Sequence, residues 1–190
     1  MTSALEYCGR GWSPIPVPLG RKAPTLRGWQ KRRISAANVG QYFNGMPKNI
    51  GILLGELSDW LTDIDLDCAE ALRLADSFLP STSSTFGRAA KPRSHRLYVV
   101  PGLVSIRFAD PLGGMLLELR STGAMTIFPG SVHPSGEPIE WETDGEPTSV
   151  EADELIAACG ELRPPVWSSI TSARTRSVYH PNDGPNFWGR

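Results

Sequence analysis

An α+β fold is predicted, and three features of the sequence predict it. Apolar segments of strand length outnumber those of helical period. Several neighbouring strands stand close enough along the chain to pair antiparallel, and one strand runs directly into an amphipathic helix. At 190 residues the chain is long enough for one domain, or a core with a smaller lobe, without disulfide support. The expected division is a folded domain over residues 1–163 and a flexible tail or linker over 164–190, where Ser, Thr, Asn and Pro recur without periodicity.

Taken in order, Gly11 to Trp29 is Pro- and Gly-rich and reads as loop, with Ile15 and Val17 starting an edge strand where proline is tolerated. Ser35 is expected to cap a short helix through Phe43, broken by Asn44-Gly45. Asn49 to Leu54 reads as a buried strand. Trp60 to Asp67 alternates: Leu61, Asp63, Asp65 and Asp67 share one face, while Thr62, Ile64 and Leu66 share the other. Ala71, Leu72, Leu74, Ala75, Phe78 and Leu79 have helical spacing, closed by Pro80. Phe86 to Ser94 reads as a basic loop, followed by strands at 95–100, 103–107, 115–119 and 125–128. Thr148 with Glu151 predicts a capping box for a helix to about Leu162.

Composition excludes several classes. Hydrophobic residues at 40% and charged residues at 21% rule out a wholly disordered chain. No apolar run approaches the roughly 20 residues of a membrane helix and no signal-peptide pattern opens the chain, so no membrane partner is expected. Three scattered cysteines, Cys8, Cys68 and Cys159, form no metal-binding spacing and point to a reduced, cytoplasmic protein. The net charge of −1 hides segregation. Residues 1–50 carry eight bases against Glu6, residues 51–85 seven acids against Arg73, and 86–107 are basic again. An acidic cluster between two basic segments suits a metal-dependent enzyme acting on phosphates.

The chemistry concentrates at Asp63, Asp65 and Asp67. Carboxylates at i, i+2 and i+4 on one strand face stand about 6.6 Å apart and repel each other unless cations lie between them. Hard oxygen ligands at this spacing suit Mg²⁺ or Mn²⁺. Glu118, inside the apolar run Met-Leu-Leu-Glu-Leu-Arg, is either a further metal ligand or the salt-bridge partner of Arg120, which shares its face. His95 follows Arg88, Lys91, Arg93 and Ser94, a setting for triphosphate contact, and Ser131 and His133 stand in the turn-rich Pro-Gly-Ser-Val-His-Pro-Ser-Gly. Six cations within thirteen residues, Arg21, Lys22, Arg27, Lys31, Arg32 and Arg33, with Trp29 among them, suit phosphates and base stacking on a single strand.

The order of these pieces is more specific than any one of them. It runs from Gly-Trp-Ser-Pro-Ile-Pro-Val-Pro-Leu-Gly-Arg-Lys through Asn-Ile-Gly-Ile-Leu-Leu-Gly, Asp-Ile-Asp-Leu-Asp and Ser94-His95. Leu-Glu-Leu-Arg-Ser-Thr-Gly and Phe-Pro-Gly-Ser-Val-His-Pro-Ser-Gly-Glu complete it. Over about residues 9–160 this resembles the bifunctional DNA primase/polymerase (prim-pol) family of the archaeo-eukaryotic primase superfamily, found at the N-terminus of phage and plasmid replication proteins.

The resemblance implies an archaeo-eukaryotic primase core, an RRM-like and mainly antiparallel sheet with a small α/β lobe. It implies two-metal nucleotidyl transfer by a template-directed DNA primase/polymerase in phage or plasmid replication. The family's Asp-x-Asp motif falls on the aspartate triplet, its Ser-His motif on Ser94-His95 and its third acidic position on Glu118. Asp63, Asp65, Asp67 and Glu118 are thus the implied Mg²⁺ or Mn²⁺ ligands, with His95 catalytic. Arg88, Lys91, Ser94, His95, Arg120, Ser131 and His133 are the implied nucleotide contacts. Within the triplet the hydrophobic lead-in favours Asp63 with Asp65, and the spacing to Glu70-Ala71 favours Asp65 with Asp67. The implied partners are a single-stranded DNA template, dNTP or NTP, and a replicative helicase in the same chain or a separate one, since no Walker A motif occurs here. Two departures stand out: Glu118 where Asp is common, and Gly130 where proline is frequent. The competing readings are a two-metal nuclease using the same carboxylates and a non-catalytic single-strand-binding module.

Overall fold

The computed structural model describes residues 3–110 and 113–162, and the expected tail at 164–190 lies outside them. The fold is α+β, with mostly antiparallel sheets and few helices. The larger sheet runs β6 (Ile106–Ala109), β7 (Met115–Arg120), β3 (Leu61–Leu66), β5 (Lys91–Val99), β4 (Ser84–Arg88) and β9 (Glu140–Asp144), each pair antiparallel. A two-residue β10 (Thr148–Ser149) adds to β5 in parallel. The smaller antiparallel sheet is β1 (Ser13–Pro18), β2 (Lys48–Leu53) and β8 (Met125–Ile127). Four α-helices, α1 (Ala4–Gly9), α2 (Val39–Tyr42), α3 (Ala69–Phe78) and α4 (Ala152–Glu161), and two 3-10 turns at Trp29–Lys31 and Glu56–Ser58 complete the described residues. None is long and apolar enough to cross a membrane.

The alternation along β3 sets the layers. Ile64 and Leu66 face a core shared with Ala71 and Ala75 of α3, Leu155 and Cys159 of α4, and Tyr98, Leu117 and Leu119 of the flanking strands. Leu61 faces the opposite way, into a second core with Leu97, Phe86, Ile15, Ile52 and Phe128, which seats the smaller sheet. The larger sheet is therefore covered by helices on one face and by the smaller sheet on part of the other. Asp63 and Asp65 lie on that second face, where the apolar layer ends.

Several elements depart from expectation. Phe86 to Ser94 is no loop: β4 and β5 form a hairpin closed at Arg88 and Lys91, with a register shift between Phe86 and Arg88. A Cβ on Gly87 would stand 2.4 Å from the Lys91 carbonyl oxygen, so the close approach needs glycine there. Ser35 does not cap α2. Its carbonyl accepts from Asn38 and Val39 and its N–H donates to the Asn38 side chain, so a turn comes first and the helix starts at Val39. Thr148 makes no capping box either; strand pairing with β5 takes residues 148–150, and α4 starts after Glu151 without a side-chain cap. The strand expected at 103–107 lies later, at Ile106–Ala109. On α3, Ala71, Ala75 and Leu79 are buried, whereas Leu74 and Phe78 are 37% and 41% exposed. Sequence reading also missed α1, whose Ser3–Glu6 capping box was legible, and the polar strands β4, β9 and β10.

Candidate active site

Register brings the site together. On β3, Asp65 stands opposite His95 of β5 and Glu118 of β7, and Asp63 opposite Leu97 and Arg120. Cross-strand partners share a face, so His95, Asp65 and Glu118 form one row across three strands. Asp67 follows the strand, its N–H donating to the Leu116 carbonyl at 2.8 Å. Asp65, Asp67 and Glu118 each offer an oxygen, and the three oxygens lie within 4.8 Å of one another. A donor set of three carboxylates at this separation fits a hard divalent cation.

Asp63 stands apart from that set. It is wholly buried, accepts the Thr126 hydroxyl at 2.7 Å, and lies 3.0 and 3.2 Å from Nδ1 of His95 through its two oxygens. The imidazole is stacked on Phe86 at 4.5 Å between centroids and 12° between planes. Thr126, inside an unremarkable Ala-Met-Thr-Ile stretch, and Phe86 carried no sequence signal for this role.

Glu118 stands in the carboxylate cluster and is also ion-paired. Arg120 bridges Asp65 and Glu118 through Nη2 at 2.7 Å to each, and Arg107 meets Glu118 at 2.8 Å from the edge strand. Lys91 reaches Asp67 at 3.4 Å. These charges tune the acids differently. Burial by itself would raise the Asp65 carboxyl, but His95 and Arg120 outweigh it and hold it below its ordinary value. Burial and the neighbouring Asp65 push Asp67 upward, offset in part by Lys91. His95 would be lowered by burial, yet Asp63 and Asp65 prevail and raise it.

Asp65 and Asp67 line a cleft of about 170 Å³ whose other walls are basic and apolar. Arg21, Lys22, Arg88, Lys91 and His133 line it, with Ser94, Met125, Ile127 and Ile139. Burial, Lys22 and Arg88 lower His133 from the usual histidine value. Two tethers hold the basic wall in place. Buried Asn49 accepts the Val132 N–H at 2.8 Å and donates to the carbonyls of Val132 and Arg21, at 2.7 and 3.1 Å, tying both loops to β2. Glu137 pairs with Arg88 and accepts the Ala90 N–H at 2.8 Å, tying the hairpin tip to the His133 loop. Asn49 opens the Asn-Ile-Gly-Ile-Leu-Leu-Gly motif and Glu137 closes the Phe-Pro-Gly-Ser-Val-His-Pro-Ser-Gly-Glu motif, but the sequence reading assigns neither a role at the site.

Other residues of the sequence reading lie outside the cleft. Ser131 is buried, its hydroxyl accepting the Ile50 N–H at 2.8 Å, and it anchors the loop instead of lining the cleft. Arg93 turns to the helix side and pairs with Asp76 of α3 at 2.8 Å. Of the basic segment, Arg21 and Lys22 reach the cleft, while Arg27, Lys31 and Arg32 are exposed outside it. Trp29 is half-buried against the smaller-sheet core, and Arg33 lines a second cavity of about 190 Å³ with Trp12 and Ile34.

The family model for the N-terminal domain of bifunctional DNA primase/polymerases (Prim-Pol) matches residues 4–155. No curated protein matches the chain.

Proposed function

The chain belongs to the Prim-Pol family of bifunctional DNA primase/polymerase N-terminal domains, and from that premise we propose that it performs template-directed, two-metal nucleotidyl transfer in phage or plasmid replication. The observation that carries this reading is one cleft lined by Asp65 and Asp67, which cluster with Glu118, and by cations on its wall. In this reading the larger sheet with α3 and α4 is the RRM-like half of an archaeo-eukaryotic primase core, and the smaller sheet belongs to the α/β lobe.

Asp65, Asp67 and Glu118 are the residues that would hold Mg²⁺ or Mn²⁺; when bound, the ions supply Lewis-acid polarisation of the reacting phosphate. The chain's own groups bind and orient. Lys22, Arg88, Lys91 and His133 receive the triphosphate on the basic wall, and Ser94 lies beside them. His95 and Arg120 line the same cleft beside Asp65 and would hold phosphate oxygens while a 3′-hydroxyl attacks the α-phosphate and pyrophosphate leaves. Positioning and electrostatics do most of the work in phosphoryl transfer. The template single strand follows the basic segment. Among the described residues, Arg21, Lys22, Arg27, Lys31, Arg32 and Arg33 form no ion pair, while most cations elsewhere meet a carboxylate. Unpaired cations are available to phosphates. A replicative helicase, fused or separate, would supply the single strand.

The test is extension of a labelled primer on a single-stranded template, with dNTPs or NTPs and Mg²⁺ or Mn²⁺, beside Asp65→Ala and an unprimed lane. Metal-dependent extension, lost in a mutant whose circular dichroism is unchanged, is expected; product in the unprimed lane adds priming. Extension retained by the folded mutant would sink the reading. Shortened DNA without triphosphates would replace it with a nuclease, and metal-insensitive binding without chemistry with a binding module.

A further inference from the structure

We infer that Asp63 is a positioning residue that orients His95, and that it is not a ligand of the metal site. The inference rests on the proposed nucleotidyl transfer and assigns a separate job to one of three aspartates that look equivalent in sequence.

Four observations carry it. First, Asp63 is wholly buried and both of its oxygens are occupied: the Thr126 hydroxyl donates to Oδ2 at 2.7 Å, and His95 Nδ1 lies 3.0 Å from Oδ2 and 3.2 Å from Oδ1. A carboxylate so satisfied would have to leave two hydrogen bonds in a buried site to reach an ion, which is costly. Second, register sets it one step along β3 from the row that holds His95, Asp65 and Glu118. Its cross-strand neighbours are Leu97 and Arg120, not another carboxylate. Third, Asp65, Asp67 and Glu118 converge within 4.8 Å without it.

Fourth, the His95 ring is fixed on two sides. Phe86 stacks on its plane and Asp63 takes its Nδ1 edge. A ring nitrogen facing a carboxylate must carry the hydrogen, so Nδ1–H donates and Nε2 is the nitrogen presented to the cleft, 3.8 Å from Asp65 Oδ1. Histidines at working sites are commonly set in one orientation by such a carboxylate partner. Asp63 and Thr126 thus act on substrate only through His95.

The experiment titrates Mn²⁺ alone, followed by electron paramagnetic resonance, into the wild-type chain, Asp63→Asn, Thr126→Val and Asp65→Asn. Primer extension and the ¹⁵N signals of the His95 ring are read on the same samples. Asp63→Asn and Thr126→Val are expected to keep the Mn²⁺ dissociation constant within about threefold while altering the His95 ring signal and lowering kcat by about tenfold or more. Asp65→Asn is expected to weaken Mn²⁺ by about tenfold or more. If Asp63→Asn loses Mn²⁺ as Asp65→Asn does, or leaves the ring signal and turnover as in wild type, the inference is overturned. Should Asp63→Asn fail to fold, Thr126→Val carries the same three readouts. A wild-type chain that binds Mn²⁺ but extends no primer refutes the polymerase reading alone, because metal affinity and ring orientation still decide Asp63. A wild-type chain that binds no Mn²⁺ overturns both.

Discussion

His95 and His133 border the same cleft in opposite electrostatic settings. Asp63 and Asp65 overcome burial to raise His95, whereas burial, Lys22 and Arg88 lower His133. With its value held below 6.5, His133 is mostly neutral at pH 7 in the free protein. A triphosphate arriving beside it supplies the negative charge that favours the imidazolium, so its value rises on binding. Nucleotide binding near pH 7 should therefore take up a fraction of a proton. Calorimetry in buffers of different ionisation enthalpy reads that uptake directly, and it should vanish in His133→Asn; uptake unchanged in the variant would place the proton elsewhere. The stability sign is the same for His133: the unfolded chain binds more protons between the lowered value and 6.5, so its contribution grows as pH rises through that window. The histidine itself was legible, standing in a turn-rich motif. Its state was not, because both cations that set it come from other parts of the chain.

At the level of elements, the β4–β5 hairpin supplies Arg88 and Lys91 to the cleft and is tied to the His133 loop through Glu137. Both partners of the Arg88–Glu137 pair are about one-quarter exposed, and a pair screened by solvent in this way adds little to stability. Its larger role is to hold two rims of the cleft in register. Glu137→Ala is expected to raise the nucleotide KM several-fold while shifting Tm by only a few degrees. Steady-state kinetics beside a thermal melt check this, and an unchanged KM would dismiss the tether. The hairpin reads as a loop because Ser84 to Ser94 has no apolar alternation, and β9 gives little signal because only Trp141 packs against the core, among exposed Glu, Thr and Asp that mark no continuous buried face. β2, β3 and α3 were legible because each has one.

Across the whole molecule, near-neutral net charge conceals a basic segment, 21–33, whose six cations form no ion pairs among the described residues. Single-strand binding should therefore weaken steeply with salt. Each cation that contacts a phosphate should contribute about 0.7 to the slope of log K against log salt, so the triple change Arg27→Ala, Lys31→Ala, Arg32→Ala should flatten it by about 2. Fluorescence anisotropy with a labelled oligonucleotide over a salt series measures the slope, and a triple variant with the wild-type slope would show that the strand runs elsewhere.

The α+β class, the acidic strand with its apolar reverse face, the helix behind it and the ordered motifs that place the chain in its family are legible in the amino-acid order. These are local properties: a period of two or 3.6, a charge, a spacing. Tertiary structure alone decided which carboxylates converge, that Arg120 bridges two of them, that Asp63 turns to His95 and Thr126, and that Ser131 faces inward. Each depends on strand register between segments 30 to 80 residues apart, and no local pattern encodes which residue will stand opposite which.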